Sequence, residues 1–485
     1  MNTPIRRLAL VVFTMFTALL LSTTWIQFVQ AGDLRDRPGN RRTLLESYSR
    51  DRGAILVGGE AIADSRPTDD DLRWIRSYPQ GGRYAHVTGY FSFLYGAGDG
   101  LERSRNSVLA GTDDSLFYRR LTDLVTGTTP TGAALELTID PDVQQAAEQA
   151  LGDRRGAVVA LNPRTGAILA LVSRPTYDPN ALSSHNLSQA QQVFQSLDAD
   201  PGKPLSNRAI AGDLYPPGST FKLVVAAAAL ESGRYTPEST LEGPQRYTLP
   251  GTSTQLPNFE GGRCGPSDSI SLAESITVSC NTSMAFLAGE LGAEALDGQA
   301  QAFGFGQELE VPMAVTPSRY PADPDDAQLA LTGIGQFDVR VTPLQVAMVS
   351  AAIANDGEVM VPYLVQSVRD ADLEVIDETK PSTLSRAVSQ STAAELREMM
   401  VQVVQRGSGT VAALSDVQVA GKTGTAEFGD NGAAHAWFTG FAPADDPQIA
   451  MAVVVESAAD SFTGESGGRI AAPIGRDVLA AGVDR

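Results

Sequence analysis

The chain has 485 residues and a formal net charge of −20 at pH 7, and 42% of its residues are hydrophobic. A chain of this length has room for two or more domains with hydrophobic cores of their own. The acidic balance argues against nucleic acid as a partner, because phosphates are recognised by clustered lysines and arginines.

The first element along the chain is an apolar stretch, residues 8–32, that contains no charged side chain. About 20 apolar residues span a bilayer, so this stretch is predicted to be a transmembrane signal-anchor. Arg6 and Arg7 precede it and predict a cytoplasmic tail at residues 1–7. A signal peptide cleaved after Val29-Gln30-Ala31 is the alternative, but the length of the stretch favours an uncleaved anchor. No later stretch is long and apolar enough to span again, which predicts that the rest of the chain is extracytoplasmic, held at the cell membrane.

Ser219 and Lys222 stand at the start of a predicted buried helix. Pro216-Pro217-Gly218 predicts a turn before it, and residues 223–230 are apolar on every side. Lys222 follows Ser219 by three residues and so lies on the same helix face. Because apolar surroundings lower the pKa of an amine, Lys222 is a candidate general base for a Ser219 nucleophile. The alternative is a capping serine with a lysine that extends to solvent, since Ser-x-x-Lys alone is common.

A hydroxyl and an amide follow a predicted helix that runs from Ser271 to near Val278. The Ser279 hydroxyl is a candidate proton relay, and the Asn281 amide can hold a substrate amide by hydrogen bonds. A serine and an asparagine two residues apart are common in loops, so this pair alone is weak evidence for a site.

Cys280 lies between these two residues, and Cys264 is the other cysteine of the chain. Two cysteines without a nearby histidine argue against a metal site. Three interpretations remain: two buried thiols, a nucleophilic cysteine, or one disulfide. The extracytoplasmic location favours the disulfide.

A third group of polar residues lies on a strand predicted over residues 417–427. Lys422 and Thr423 offer a cation and a hydroxyl to a substrate carboxylate. Gly424 has no side chain, so substrate backbone can approach and add to the strand edge. The alternative is an edge lysine that deters aggregation.

The remaining elements complete an α+β pattern. Further strands are predicted at residues 156–161, 167–172, 436–441 and 449–455, with a closing helix at 470–481. Strands at both ends of this region, with helices between them, predict an antiparallel sheet assembled from distant segments. The polar stretch at residues 369–381 is predicted to be a loop.

Ser219-Thr220-Phe221-Lys222, Ser279-Cys280-Asn281 and Lys422-Thr423-Gly424 together match the established signature of class A β-lactamases and penicillin-binding proteins. The chain most resembles the class B penicillin-binding proteins, which are monofunctional D,D-transpeptidases. Upstream, residues 50–55 and 100–102 resemble landmarks of that family's non-catalytic pedestal domain. The short pedestal and the cysteine pair are similar to the actinobacterial penicillin-binding protein A group, which acts in cell division and cell shape.

The resemblance implies two extracytoplasmic domains. Residues 150–485 would form a catalytic domain with the serine β-lactamase/transpeptidase-like fold, preceded by a smaller dimerisation-type pedestal at residues 33–140. The implied activity is peptidoglycan D,D-transpeptidation, which needs no cofactor or metal. Its partners would be stem peptides as donor and amine acceptor, β-lactams as covalent inhibitors, and divisome or cell-wall synthase proteins.

The resemblance also implies a role for each site residue. Ser219 is the acylated nucleophile, Lys222 the base and Ser279 the proton relay. The other implied roles are substrate binding by Asn281, Lys422, Thr423, Gly424 and Thr425, an oxyanion hole of the Ser219 and Thr425 N–H groups, and a disulfide between Cys264 and Cys280.

Other functions are compatible with the same motifs. A D,D-carboxypeptidase or a β-lactamase passes the acyl group to water, a β-lactam sensor stays acylated, and a structural divisome component would not need Ser219. The upstream domain and the anchor disfavour a β-lactamase, which is commonly a secreted single domain. The short cytoplasmic tail disfavours a sensor.

Overall fold

A computed structural model describes residues 3–30, 34, 48, 50–116, 131–428, 433–456 and 466–483. The strands in these residues are β1 (Ile55–Val57), β2 (Glu60–Pro67), β3 (Trp74–Ser77), β4 (Phe91–Ser92), β5 (Gly96–Ala97), β6 (Ala134–Leu137), β7 (Gly156–Leu161), β8 (Ile168–Arg174), β9 (Thr240–Glu242), β10 (Arg246–Thr248), β11 (Gln255–Pro257), β12 (Ser269–Ser271), β13 (Glu358–Met360), β14 (Val365–Arg369), β15 (Val375–Glu378), β16 (Thr383–Arg386), β17 (Ala420–Phe428), β18 (Ala433–Ala442) and β19 (Ile449–Val455). The α-helices are α1 (Thr3–Thr24), α2 (Ala85–Thr88), α3 (Gly100–Ser104), α4 (Asn106–Leu109), α5 (Pro141–Leu151), α6 (Pro179–Ser183), α7 (Leu187–Asp198), α8 (Lys222–Glu231), α9 (Leu272–Thr277), α10 (Asn281–Leu291), α11 (Ala293–Ala302), α12 (Asp326–Thr332), α13 (Pro343–Ala354), α14 (Gln390–Arg406) and α15 (Gly467–Val483).

Helix α1 continues as one π-helical turn, and the 27 residues Thr3–Val29 are long and apolar enough to be a candidate membrane span. None of these side chains is buried by the rest of the protein. The helix starts before the predicted residue 8 and includes Arg6 and Arg7, because helical hydrogen bonds do not depend on apolar side chains. Residues 31 and 32 of the predicted span lie outside the described residues.

A six-stranded sheet in the order β15-β14-β6-β1-β2-β3 forms the centre of the pedestal. Strands β1 and β6 are parallel, and the other neighbours are antiparallel. The hairpin β14–β15 comes from the predicted catalytic region, yet it completes this sheet. The prediction of a loop at residues 369–381 is therefore wrong for Val375–Glu378, which form strand β15. All four β15 residues are exposed, and a strand exposed on both faces has no alternating pattern to reveal it.

Two arginines and a glutamate tie the pedestal together inside its core. The Nε atoms of Arg52 and Arg76 each donate to the Glu102 carboxylate at 2.6 Å, and all three side chains are buried. Burial by itself would raise the pKa of Glu102, but the two guanidinium charges outweigh it and the pKa is lowered. Arg52 and Glu102 lie in the stretches 50–55 and 100–102, which resemble the family's pedestal. Both stretches thus contribute to one buried ion cluster.

A five-stranded antiparallel sheet, in the order β17-β18-β19-β7-β8, forms the second domain. It joins strands from residues 156–174 with strands from residues 420–455, so the predicted antiparallel sheet of distant segments is confirmed. Every residue of β19 is buried, as its continuous apolar sequence predicts. Helices α13 and α15 both contact β19. Strand β17 is at one edge of the sheet.

The predicted buried helix is confirmed as α8, whose residues Lys222–Leu230 are all buried. Ser219 lies in a 3₁₀ turn, Gly218–Phe221, that runs directly into α8, so the serine stands at the first turn of this helix as predicted, in the tighter 3₁₀ geometry. This turn lies against strand β17. The tighter helical geometry at a helix start is common, and here it puts the serine beside the sheet edge.

Two glycines let the Ser219 turn pack closely against neighbouring backbone. Gly218 donates its N–H to the Gly335 carbonyl at 3.0 Å. A Cβ at Gly335, where φ is +69°, would lie 2.1 Å from the Gly218 carbonyl oxygen, and a Cβ at Gly218 would lie 2.7 Å from the Thr425 carbonyl oxygen. The absence of a side chain at Gly335 therefore leaves room for the turn, and its absence at Gly218 allows the turn to approach β17.

We expect Gly335→Ala to lower the free energy of unfolding by about 3 kcal/mol, because it adds left-handed backbone strain and a steric clash. Acylation by a fluorescent penicillin should slow at least about tenfold, since the clash displaces Ser219. Gly233→Ala is the matched control, with φ +67° but nothing within 4 Å of its Cβ. It should cost about 1 kcal/mol and leave acylation unchanged. Equal acylation rates in the two variants would contradict this role of Gly335.

Candidate active site

A cleft of about 970 Å³ lies where the Ser219 turn, the start of α10 and strand β17 meet. Its wall includes five of the predicted site residues, namely Ser219, Ser279, Asn281, Thr423 and Thr425. The structure thus brings together residues that are more than 200 positions apart in the chain. Lys222 and Lys422 are fully buried behind this wall.

Lys222 contacts the Ser279–Asn281 segment. Its Nζ donates to the Ser279 carbonyl and to Asn281 Oδ1, both at 2.8 Å, and lies 3.4 Å from Ser279 Oγ. Burial, and then the nearby charge of Lys422, hold the pKa of Lys222 well below its usual range. A lowered pKa favours the neutral amine, which is the form that can accept a proton, and the predicted role of Lys222 as a base stays a prediction.

Lys422 lies on the other side of Ser279. Its Nζ donates to Ser279 Oγ at 2.8 Å and to the Thr423 carbonyl at 3.0 Å. Burial lowers the pKa of Lys422 to about 7. The sequence predicts that Lys422 meets a substrate carboxylate, which stays a prediction, and in the structure its amine contacts Ser279. Between the two amines, the Ser279 hydroxyl can exchange protons with either.

Ser279 has a strained backbone, with φ +61°. Helix α9 ends at Thr277, as predicted, and the chain then turns sharply before α10 begins. A left-handed residue other than glycine costs on the order of 1–2 kcal/mol and persists where surrounding contacts over-determine it. The neighbouring residues supply those contacts.

Two braces hold the segment around Ser279. A disulfide joins Cys264 and Cys280, whose Cα atoms are 5.6 Å apart. The buried Asn258 accepts the N–H groups of Asn281 and Thr282, both at 3.0 Å, and thereby caps α10. Sequence reasoning missed Asn258, because an asparagine in a polar loop carries no signal of the distant helix that it caps.

Gly424 packs closely against neighbouring segments of the fold. A Cβ there would lie 2.9 Å from Trp437 Cβ, 3.0 Å from Thr220 Cγ2 and 3.1 Å from the Pro217 carbonyl oxygen. Gly424 therefore makes room for the Ser219 turn and for strand β18, and the approach of substrate backbone to this position stays a prediction.

The threonines on either side of Gly424 face the cleft. Thr423 Oγ1 is 2.6 Å from Ser408 Oγ, and Thr425 Oγ1 accepts the Gly467 N–H at 3.3 Å. These contacts orient both hydroxyls along the edge strand. Ser408 and Gly467 were not singled out from the sequence, since each reaches the site only through folding.

Comparison with known proteins agrees with this geometry. The family model described as penicillin binding protein transpeptidase domain matches residues 156–480, and the one described as penicillin binding protein A dimerisation domain matches residues 52–135. The peptidoglycan D,D-transpeptidase PbpA of Mycolicibacterium smegmatis is 45% identical, and that of Mycobacterium tuberculosis is 44% identical, each over 99% of both chains.

Solved structures give the same result. The penicillin G acyl-enzyme complex of penicillin-binding protein A from M. tuberculosis has 44% sequence identity and a TM-score of 0.84, covering 89% of this chain and 99% of that chain. The D,D-transpeptidase domain of a peptidoglycan glycosyltransferase from Eggerthella lenta has 34% identity and a TM-score of 0.77, covering 89% and 98%. The chain therefore belongs to the class B penicillin-binding proteins, with a transpeptidase domain and a penicillin-binding protein A dimerisation domain.

Proposed function

We propose that the chain is a peptidoglycan D,D-transpeptidase that cross-links stem peptides through an acyl-enzyme on Ser219. The observation that supports this most directly is the convergence of two buried lysines on Ser279, in the wall of the cleft that Ser219 lines. Relatives over nearly the whole length are named peptidoglycan D,D-transpeptidases.

In the first half-reaction, Ser219 Oγ attacks the carbonyl of the penultimate D-alanine and forms an ester. Lys222, whose pKa burial lowers, takes the serine proton. The C–N bond to the terminal D-alanine breaks, and Ser279 passes a proton to the departing amine and recovers one from Lys222. The charged form of Lys422 donates to Ser279 Oγ and makes Ser279 a better proton donor.

The second half-reaction runs the same steps in reverse with a new amine. The amine of a second stem peptide attacks the ester, Ser279 and Lys222 take its proton, and Ser219 recovers its hydrogen. The N–H groups of Ser219 and Thr425 are assigned to the oxyanion in both tetrahedral intermediates. Asn281 and the Thr423 hydroxyl would hold the donor peptide, and Lys422 would contribute its positive charge.

The apolar span Thr3–Val29 supports a single-pass membrane protein with an extracytoplasmic catalytic domain. The cysteine pair, bonded in the structure, suits an oxidising compartment outside the cytoplasm. We assign residues 33–140 to the pedestal and 150–485 to the catalytic domain, and the cellular role to wall synthesis in division and shape maintenance. Divisome or cell-wall synthase proteins are the proposed partners.

Labelled penicillin should attach to Ser219 and remain attached after free drug is removed, because opening the β-lactam ring releases no leaving group and the tethered portion blocks the acceptor. Peptide mapping locates the label. Ser219→Ala should abolish the label, whereas Ser232→Ala, at an exposed serine at the end of α8, should not.

A donor peptide ending in D-Ala-D-Ala, given with an amine, should yield mainly the new amide. Rapid turnover of penicillin would indicate a β-lactamase, and hydrolysis of the donor as the main product would indicate a carboxypeptidase.

Replacing Lys222 by arginine should slow penicillin acylation by about 10³, because a guanidinium cannot lose its proton at accessible pH. Stopped-flow measurement of labelled penicillin gives the acylation rate constant. Lys203→Arg, at an exposed lysine paired with Asp213, is the matched control and should acylate normally. An acylation rate within tenfold of wild type for Lys222→Arg would mean that the residue acts only through its charge.

Acylation should also weaken as pH rises through about 7, the pKa of Lys422. Burial lowers this pKa, so the ammonium that donates to Ser279 predominates below pH 7 and is lost above it. Burial and then the charge of Lys422 hold the pKa of Lys222 well below its usual range, and because loss of a proton from Lys222 supplies the base, it would not make acylation fall with rising pH. Lys422→Arg keeps its charge at every pH, so its acylation rate should lack the fall near pH 7, with thermal melting as the check on folding. The same fall in both proteins would assign it to another group.

A further inference from the structure

The side chain of Gln336 pairs with the backbone of strand β17 like a short neighbouring strand. With its amide oriented to match its partners, it donates to the Glu427 carbonyl at 3.2 Å and accepts the Glu427 N–H at 3.0 Å. Both Gln336 and Glu427 line the catalytic cleft. One side-chain amide therefore satisfies both backbone groups of a residue on the edge strand.

This pairing shows which backbone groups face the cleft. Along a strand, residues two apart direct their N–H and C=O to the same edge. Since Glu427 points these groups away from β18, Thr425 and Thr423 do so as well. The approach of Gly218 to the Thr425 carbonyl, on the side of the Ser219 turn, agrees with this. The edge thus offers a ligand two residues, of which Thr423 already accepts Lys422 Nζ at one lone pair of its carbonyl, followed by a third that Gln336 occupies.

The donor peptide has an asymmetric shape at this edge. If its reacting carbonyl lies beside Ser219 and Thr425, as the proposed function requires, a single residue, the leaving D-alanine, extends to one side. The proposed function places the carboxylate of this D-alanine near the charge of Lys422, beside Thr423, so the longer acyl portion extends the other way, toward Glu427. A residue advances about 3.3 Å along a strand, so the acyl portion reaches Glu427 within about two residues.

We propose that Gln336 is a specificity-determining residue that ends the backbone pairing of the donor peptide at Thr425. The terminal dipeptide is then recognised by β-type hydrogen bonds along Thr423 and Thr425. Residues further upstream leave the strand edge at Glu427, because its N–H and C=O already have partners. The inference rests on the proposed transpeptidase function and adds the length over which the donor is bound.

Two thioester donors test the proposal. The short donor is N-acetyl-D-alanyl thioglycolate, and the long donor carries an added L-alanyl-L-lysyl segment between the acetyl group and D-alanine. In wild type the two should have kcat/KM values within about threefold. In Gln336→Ala the exposed Glu427 edge should favour the long donor about fivefold, through KM and not kcat, as expected for one additional peptide hydrogen bond.

Two further variants separate recognition from folding. Gln336→Glu still accepts the Glu427 N–H but cannot donate to the Glu427 carbonyl, so its long-to-short ratio should lie between those of wild type and Gln336→Ala. Gln366→Ala, at an exposed residue of β14, is the matched control and should leave both donors unchanged. An equal loss for both donors in Gln336→Ala would mean that the glutamine only supports the fold and would overturn the proposal, as would an unchanged ratio.

A measurement on wild type avoids any question of folding. In the long donor, the two amide nitrogens upstream of D-alanine can be methylated one at a time. Methylation of the amide that would face Glu427 should change kcat/KM less than about twofold, since Gln336 already fills that position. A loss of tenfold or more at both amides would overturn the proposal while leaving transpeptidation intact. Failure of both thioesters to acylate Ser219, when penicillin does so, would instead overturn the proposed function.

Discussion

Two lysine amines meet at one serine inside the protein, and this juxtaposition constrains the rest of the catalytic domain. Lys222 and Lys422 are both fully buried, and both donate to Ser279. Each amine loses hydration on burial, and two ammonium groups so close repel each other. The pair therefore carries less than two full positive charges near neutral pH. A neutral amine beside a charged one is the condition that proton transfer through a shared hydroxyl requires.

The two lysines have to be held rigidly and away from water, and the surrounding elements do this. Helix α8 is buried along its length and carries Lys222, while strand β17 carries Lys422 at the edge of the five-stranded sheet. The strained backbone of Ser279 is held in place by the disulfide to Cys280 and by the cap from Asn258. Strain at Ser279 is thus stabilised by neighbouring contacts, the disulfide and the cap.

The pedestal is linked to the catalytic domain by more than the peptide chain. Hairpin β14–β15 leaves the catalytic region to complete the pedestal sheet. Across the same boundary, Glu148 of α5 accepts Arg83 at 2.6 Å and Arg174 at 2.8 Å, with all three side chains partly exposed. Shared strands and bridging ion pairs fix the orientation of the pedestal relative to the cleft.

Local patterns in the chain were enough to derive the apolar span, the buried helix α8, the strands of the catalytic sheet and the three catalytic motifs, because each depends on residues close in sequence. Other features depend on contacts between distant segments, and only the folded structure decided them. Lys422 contacts Ser279 because folding brings strand β17 beside the start of α10, Gly424 accommodates the Ser219 turn, and the hairpin β14–β15 joins a sheet whose other strands lie far upstream. The roles of Asn258 and Gln336 have the same origin, since each meets a backbone that is 23 or more residues away in the chain. Composition and periodicity describe how an element interacts with solvent or core, whereas the partner of a buried polar group is set by which distant segments the fold brings together.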